Sequence, residues 1–325
     1  MWHSRLGCAN SGGTGVSPVQ GHWAINFANG RLHMTPPKSS ATANGKRQTA
    51  NATPKPKALV LYGYGLNCDY ETAFALNRAG AEAHRVHTTE LLENPAALWN
   101  YHLLAVPGGF SWGDEHGAGV ILALRLKLAL GSALQEFIDA GRLVIGICNG
   151  FQVLVNLGLL PGLEGRPGER LAALIPNDCG NFRDAWVHLE VKPSHCVFTK
   201  GLDHLELPIR HGEGKFFAAA EVLTEIKDRG QIALKYATAD GAEAGGRFPD
   251  NPNGSLLDIA GVTDSTGRVL GLMPHPEAHV TSFQHPTWTR EKEAWRRQGQ
   301  PYPEQEGAGL AIFRNAVQYL KEIAA

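Results

Sequence analysis

The sequence lacks an excess of charge of either sign. Its 325 residues include 30 Lys or Arg and 31 Asp or Glu, which gives a formal net charge of −1 at pH 7. Proteins that bind nucleic acid or an anionic membrane surface usually carry a basic excess. The balance of charge therefore argues against both of these function classes.

Long apolar runs are also missing, although 43% of the residues are hydrophobic. No run reaches the roughly 18 apolar residues that mark a membrane-spanning helix. No Walker A sequence occurs, so we expect no ATP site in this chain. The sequence predicts a protein that neither crosses a membrane nor binds ATP.

Paired cysteine spacings are absent as well. The chain has five cysteines, which are Cys8, Cys68, Cys148, Cys179 and Cys196. No CxxC pair occurs among them, which excludes the usual disulfide framework and zinc ribbon. His188, His195 and His204 lie near the last two cysteines in sequence, but their spacings match no zinc-ligand pattern. We therefore expect reduced thiols, no bound metal and a cytoplasmic location.

Residues 1–56 differ in composition from the rest of the chain. They are rich in Gly, Ser, Thr, Pro and Asn and contain few periodic apolar positions. Such a segment buries too little apolar surface to offset the entropy of ordering it. We predict a disordered extension over 1–56, with Met34 as an alternative start, and one domain over 57–325.

Strand-like and helix-like segments alternate from Lys57 onward. Buried strands are predicted at 58–65, 81–87, 103–109 and 143–148, and helices at 70–80, 91–100, 120–141 and 150–158. Alternation with short links predicts a doubly wound, mostly parallel α/β sheet flanked by helices. After about residue 180 the strands follow one another more closely, and 256–262 with 269–274 predicts a β-hairpin. We therefore expect a mixed or antiparallel extension of the sheet in the C-terminal half, closed by an amphipathic helix over 309–324.

A cysteine stands between two glycines where the fourth strand ends. Gly146-Ile147-Cys148-Asn149-Gly150 has the Gly-x-nucleophile-x-Gly form of a turn that exposes a side chain above an α/β sheet. Cys148 would lie at a helix N-terminus, which favours a thiolate. On this pentapeptide alone, a buried structural cysteine in an ordinary strand-to-helix loop is an equally good interpretation.

A candidate base follows the last predicted strand. Pro274-His275-Pro276-Glu277 places a histidine and a glutamate two residues apart. In an extended stretch, residues i and i+2 lie on one side, so Glu277 could orient the His275 ring toward the thiol. Together with Cys148 this gives the nucleophile, base and orienting acid of a triad. A surface His-Glu pair on a proline-rich bend is the alternative.

Backbone donors are predicted at a neighbouring strand end. Gly108-Gly109 ends the strand predicted at 103–109 and leaves its N–H groups unobstructed. The N–H groups of Gly109 and Asn149 could hold the oxyanion that forms when Cys148 attacks a carbonyl. Without the other two motifs, an ordinary turn would explain this pair of glycines.

Together these motifs resemble those of the triad-type (class I) glutamine amidotransferases, and more narrowly the glutaminase subunits of phosphoribosylformylglycinamidine synthases. The resemblance rests on Pro-Gly-Gly, Gly-Ile-Cys-Asn-Gly-Phe-Gln and Met-Pro-His-Pro-Glu, with "GGFSWGD" at 108–114, "HGEGKF" at 211–216 and "NPNGS" at 251–255. It runs from about Ala58 to the C-terminus and implies a flavodoxin-like glutaminase fold. The family often carries Leu-Arg after "GGFSxGDx", whereas Glu115-His116-Gly117 stands here, so no partner-binding arginine is assigned.

The resemblance implies a function and two further site residues. Cys148 would attack the side-chain amide of glutamine, and Gln152 and His211 would contact the substrate. The ammonia would pass to a separate synthetase subunit that uses ATP and Mg²⁺ in purine biosynthesis, in a complex that could include a small third subunit. No cofactor is implied for this chain.

Several alternatives stay open at this stage. The same fold and triad would suit the glutaminase of another synthetase, or a cysteine peptidase or glutamyl hydrolase, and a docking scaffold without turnover would keep the same motifs. The segment 281–308 is longer than the family link that we expect there. It could be a docking or lid element, or a tolerated surface insertion.

Overall fold

The structure is a computed structural model that describes residues 25–28, 31–34 and 54–324. It divides into two units, one ending at Ala52 and the other beginning at Thr53. In the first unit, Ile25–Ala28 (β1) and Arg31–Met34 (β2) form an antiparallel pair. The disorder predicted over 1–56 otherwise falls almost wholly outside the described residues and stays a prediction.

The second unit is built on a nine-stranded mixed sheet. Its strands and those of a small separate sheet, numbered in chain order, are β3 Lys57–Tyr62, β4 Glu82–His87, β5 Leu103–Val106, β6 Leu143–Ile147, β7 Ala172–Ile175, β8 Arg183–Val191, β9 His204–His211, β10 Lys215–Ala218, β11 Ile232–Ala237, β12 Ile259–Thr263 and β13 Val269–Leu272. The order across the large sheet is β4-β3-β5-β6-β13-β12-β11-β8-β9. β7 and β10 pair with each other in the small sheet.

The two halves of the large sheet differ in strand direction. β4, β3, β5, β6 and β13 run parallel. From β13 to β9 every pairing is antiparallel. The predicted parallel sheet with an antiparallel C-terminal extension is thus confirmed, including the β12–β13 hairpin. β5 and β6 are buried at every residue, as expected for central strands covered on both faces.

Helices flank the sheet. They are α1 Asp69–Ala79, α2 Thr88–Glu93, α3 Val120–Leu130, α4 Ala133–Asp139, α5 Asn149–Asn156, α6 Ala220–Asp228, α7 Trp288–Arg297 and α8 Leu310–Ile323. Short 3₁₀ helices cover Pro95–Asn100, Ser111–Asp114, Val197–Thr199, Leu256–Asp258, Pro276–Ala278 and Ser282–Gln284. Among the described residues, no helix is both long enough and apolar enough to cross a bilayer.

The single helix predicted over 120–141 is wrong. The chain forms α3 and α4 instead, and Gly131 between them has φ 54° and ψ −125°. That conformation is open to glycine and costly for other residues, and no helix can continue through it. Apolar periodicity alone did not reveal the break.

The segment 282–305, which precedes α8 and contains α7, is an exposed insertion. Its ends are joined by a hydrogen bond from Ser282 N to Gln305 O at 2.9 Å. Between them, α7 contains no buried residue. This insertion therefore adds surface to the domain and contributes little to its core.

Candidate active site

Cys148 occupies the turn between β6 and α5. Its φ of 51° and ψ of −105° are rare for a residue with a side chain. Its N–H donates to Leu272 O at 2.8 Å, which fixes the turn against β13. Strain of this kind costs on the order of 1–3 kcal/mol and persists only where the surroundings impose it.

The glycines beside Cys148 are required for space. A Cβ atom on Gly150 would lie 1.8 Å from Val106 O, and one on Gly146 would lie 2.5 Å from Gly150 O. The positive φ of the turn falls on Cys148 itself, whose side chain is buried. Close packing of β5, β6 and α5 thus explains the two glycines, and the cysteine takes the strained conformation.

His275 and Glu277 meet just beyond the end of β13. The ring nitrogen Nδ1 of His275 lies 2.6 Å from Glu277 Oε1, and both side chains are buried. Pro276–Ala278 is a 3₁₀ turn, so the carboxylate reaches the ring across a tight bend rather than along the extended stretch assumed from the sequence. The backbone N–H of His275 donates to Pro208 O at 2.8 Å and connects this loop to β9.

Charge near His275 favours its protonated form. Burial by itself lowers the pKa of the ring, but the negative charges of Glu277 and Cys148 outweigh it and hold the pKa well above its ordinary value. The Nε2 atom is buried and has no hydrogen-bond partner in the described part of the chain. The ring is therefore held through Nδ1, and Nε2 is left for a reacting group.

The N–H groups expected to form an oxyanion hole have no internal acceptor. Gly108 O accepts hydrogen bonds from the backbone N–H groups of Asn67 at 3.1 Å and Cys68 at 3.2 Å. Because the peptide bond is trans, the N–H of Gly109 points away from that carbonyl. Within residues 54–324, neither this N–H nor that of Asn149 donates a hydrogen bond to the protein. Gly109 has φ +148°, and a Cβ there would lie 2.4 Å from Gly65 O.

The side chain of Asn149 links the two loops around the nucleophile. Its Oδ1 accepts from Ser111 N at 3.2 Å, and its Nδ2 donates to Asp114 Oδ1 and Gln152 Oε1, both at 2.9 Å. Gln152 Nε2 donates to Glu213 O at 2.6 Å. Gln152 is thus buried and positioned by the protein, in the first turn of α5 beside Cys148.

His211 is a buried neutral histidine near His275. Asn177 Nδ2 donates to two carbonyls, so its Oδ1 is an acceptor and His211 Nδ1 must be the donor in their 3.1 Å contact. Burial, with a smaller effect from the charge of His275, lowers the pKa of His211 to about 3. Its Nε2 has no partner among the described residues, so an acceptor lone pair is left free there.

Cys68 is a further neighbour of the site. Its sulfur lies 3.9 Å from His275 Nδ1, and burial raises the pKa of its thiol. Cys68 is the N-cap residue of α1 and makes no side-chain capping bond. The parallel pairing of β3 with β5 sets 63–69 beside 107–113 and so brings Cys68 to this edge of the sheet.

The comparisons with known proteins show the family of this chain. A family model described as the CobB/CobQ-like glutamine amidotransferase domain matches residues 55–320, and the chain belongs to that class of glutamine amidotransferases. The chain is 44% identical over 267 residues to the phosphoribosylformylglycinamidine synthase subunit PurQ of Methanococcus maripaludis, covering 82% of this chain and 98% of the relative. The subunit of the same name from Dehalococcoides mccartyi is 42% identical over 270 residues, covering 83% and 99%. Within the class, the chain is therefore a member of the family of phosphoribosylformylglycinamidine synthase subunits PurQ.

A solved structure supports the same assignment. A chain in the "Structure of PurLQS from Thermotoga maritima" is similar, with a TM-score of 0.58 and 29% identity, covering 82% of this chain and 99% of that chain. The resemblance drawn from the motifs is thus confirmed at the level of family and fold.

Proposed function

We propose that this chain is the glutaminase subunit of a phosphoribosylformylglycinamidine synthase, with Cys148, His275 and Glu277 as its catalytic triad. The observation that carries the proposal is the 2.6 Å contact between His275 and Glu277. It lies in the same buried site as a cysteine held in a strained strand-to-helix turn. A nucleophile, an oriented base and a buried acid are the parts that amide hydrolysis by thiolate attack requires.

The first half of the reaction releases ammonia. The Cys148 thiolate attacks the side-chain amide carbon of glutamine, and a C–S bond forms. The N–H groups of Gly109 and Asn149 stabilise the oxyanion of the tetrahedral intermediate. The C–N bond then breaks as His275 gives its Nε2 proton to the leaving nitrogen. The raised pKa of His275 keeps the ring protonated before attack, ready for this transfer.

The second half regenerates the enzyme. His275, now neutral, takes a proton from water, and the oxygen adds to the γ-glutamyl thioester. The C–S bond breaks, and glutamate and the thiolate are released. Glu277 stabilises the imidazolium in both halves because its carboxylate accepts a hydrogen bond from the Nδ1–H group. The proton itself stays on the ring.

Gln152 and His211 are proposed to contact the substrate. Gln152 is fixed in the first turn of α5 by Asn149 and by Glu213 O. His211 offers a neutral acceptor at Nε2, which suits a donor group of glutamine better than a charged one would. Both lie in segments that the motifs assigned to the site.

We propose that the ammonia is consumed by a separate synthetase subunit. That subunit would bind ATP and Mg²⁺ and convert phosphoribosylformylglycinamide to the amidine, and a small third subunit would complete the complex. The name of the Thermotoga maritima complex, PurLQS, supports an assembly of several subunits. The reaction is placed in the cytoplasm, in keeping with the free thiols of Cys68, Cys148, Cys179 and Cys196.

The test is amidine synthesis by the reconstituted complex. With Cys148→Ala, glutamine-dependent synthesis should be lost while synthesis from added ammonium salt is retained, because only the source of nitrogen has been removed. The half-buried Cys179 provides the control, and Cys179→Ala should retain both activities. Retention of glutamine-dependent synthesis by Cys148→Ala would show a scaffold without turnover. If the wild-type complex released no ammonia from glutamine, that result would instead indicate a peptidase or another hydrolase.

A further inference from the structure

Two side chains, those of Cys68 and Glu277, converge on the Nδ1 atom of His275. The sulfur of Cys68 lies 3.9 Å from His275 Nδ1, and Glu277 Oε1 lies 2.6 Å from the same nitrogen. One donor atom from each residue falls within a mutual distance of 4.8 Å. All three side chains are more than nine-tenths buried. Thiolate, imidazole and carboxylate are the three ligand types of zinc sites.

The carboxylate of Glu277 has unused coordination capacity. Its Oε2 is buried and has no hydrogen-bond partner among residues 54–324. Rotation of the carboxylate would therefore break no contact except the one with His275. A tetrahedral zinc ion with bonds of about 2.0–2.3 Å places its ligand atoms roughly 3.3–3.7 Å apart. The sulfur and the nitrogen already lie close to that separation, so the main change needed is a small movement of the carboxylate.

Charge also favours a divalent cation at this position. A thiolate at Cys68 and a carboxylate at Glu277 would neutralise two positive charges, with the neutral His275 ring as third ligand. A site that is neutral overall avoids the large cost of burying an isolated charge. Binding would release the Cys68 thiol proton and the Nδ1 proton to solvent, since thiol and imidazole ligands must be deprotonated.

We propose that Cys68, His275 and Glu277 form an inhibitory site for Zn²⁺, with the fourth position left to water. The ion occupies Nδ1 and the carboxylate together, and so removes the hydrogen bond that orients the ring. With Zn²⁺ on Nδ1, the ring can no longer alternate between imidazolium and imidazole, so glutamine hydrolysis stops while the nucleophile stays intact. The inhibitory consequence rests on the proposed glutaminase function, whereas metal binding does not.

Binding is measured first, without glutamine, on the full chain. Calorimetry with Zn²⁺, and absorption spectroscopy with Co²⁺ as a reporter of thiolate ligation, should find one site in the wild type. Cys68→Ser should weaken Zn²⁺ binding by at least about 10–100-fold, since even the loss of an outer-shell partner has an effect of that size. Cys148→Ala should bind Zn²⁺ as the wild type does. Cys196→Ser is the matched control, because Cys196 is equally buried but lies outside the cluster.

Three results would overturn the site. The first is that the wild type binds no Zn²⁺. The second is that both Cys68→Ser and Cys68→Ala bind Zn²⁺ with wild-type affinity. The third is loss of binding in Cys148→Ala, which would place the ion on the nucleophile. Metal-free glutamine hydrolysis by the Cys68 variants shows that they are folded. Inhibition is measured second, and Cys68→Ser should require at least about 10-fold more Zn²⁺ for half-inhibition than the wild type. A wild type that binds Zn²⁺ but never hydrolyses glutamine would reject the proposed function and leave the metal site standing.

Discussion

At the residue scale, the site depends on groups whose protonation state is set by burial and by neighbouring charges. The imidazole of His275 faces two negative charges and stays protonated, whereas that of His211 is deeply buried, lies near the positive charge of His275 and stays neutral. In the proposed mechanism, the two neighbouring histidines therefore have opposite tasks, one as a proton donor and one as an acceptor. The difference follows from their neighbours, since the two side chains are chemically the same.

Replacement of Glu277 by glutamine should impair glutamine hydrolysis. The variant removes the charge that raises the pKa of His275, so kcat should fall by about 10²–10⁴-fold and the alkaline limb of the kcat/KM profile should move to lower pH. A pH profile of ammonia release checks both effects. Glu304→Gln is the control because Glu304 is exposed and, among the described residues, pairs only with Arg78. An alkaline limb that does not move would contradict the role given to Glu277.

His211 should make the fold sensitive to acid. Its pKa is about 3 in the folded chain against an ordinary value of 6.5, so between these values the unfolded chain binds a proton that the folded chain does not. Stability should therefore fall as the pH drops through this window, by at most about 1.4 kcal/mol per pH unit from this group. His275, with its raised pKa, has the opposite sign, and its contribution is fully present below 6.5 and is lost only at higher pH.

Urea unfolding at about pH 7 and about pH 5 measures this effect. His211→Gln should show a smaller loss of stability between the two conditions than the wild type, by about 2 kcal/mol. His204→Gln, at an exposed position, should lose as much as the wild type. An equal loss in all three proteins would mean that His211 is not buried as a neutral ring.

At the element scale, the strands were easier to predict than the breaks between elements. The buried runs of β3, β5 and β6 and the hairpin of β12 and β13 have strong local patterns, and the sheet follows from them. β7, β10 and α6 were not predicted, because the two strands have only four residues each, too few to show a strand period, and α6 has only two buried residues. The contact of Cys68 with His275 also had no local signal, because it arises where separate strand ends meet at one edge of the sheet.

Gly131 distinguishes the observed break from the continuous helix that the sequence suggested. In a continuous helix, Gly131→Ala would stabilise the protein by about 1 kcal/mol. In the structure, the residue has φ 54° and ψ −125° with open space around a Cβ, so the alanine should destabilise it by about 1–3 kcal/mol through backbone strain. Thermal or urea unfolding gives the sign. A stabilised variant would show that α3 and α4 are one helix.

At the scale of the whole molecule, the residues of the candidate site lie together at one end of the large sheet. The β5 loop supplies Gly109, the β6 turn supplies Cys148, and the loop after β13 supplies His275 and Glu277. These three strands are neighbours in the order of the sheet, although their residues are distant in the sequence. The motifs predicted which residues to join, and the parallel arrangement of the three strands explains why they meet.

The most direct test of this convergence is labelling of the full chain with an electrophilic diazo-ketone analogue of glutamine, followed by peptide mapping. The label should be found on Cys148, free glutamine should protect against it, and Glu277→Gln should slow it. Label on Cys68 or Cys179, or labelling at the same rate with and without glutamine, would contradict a triad built on Cys148.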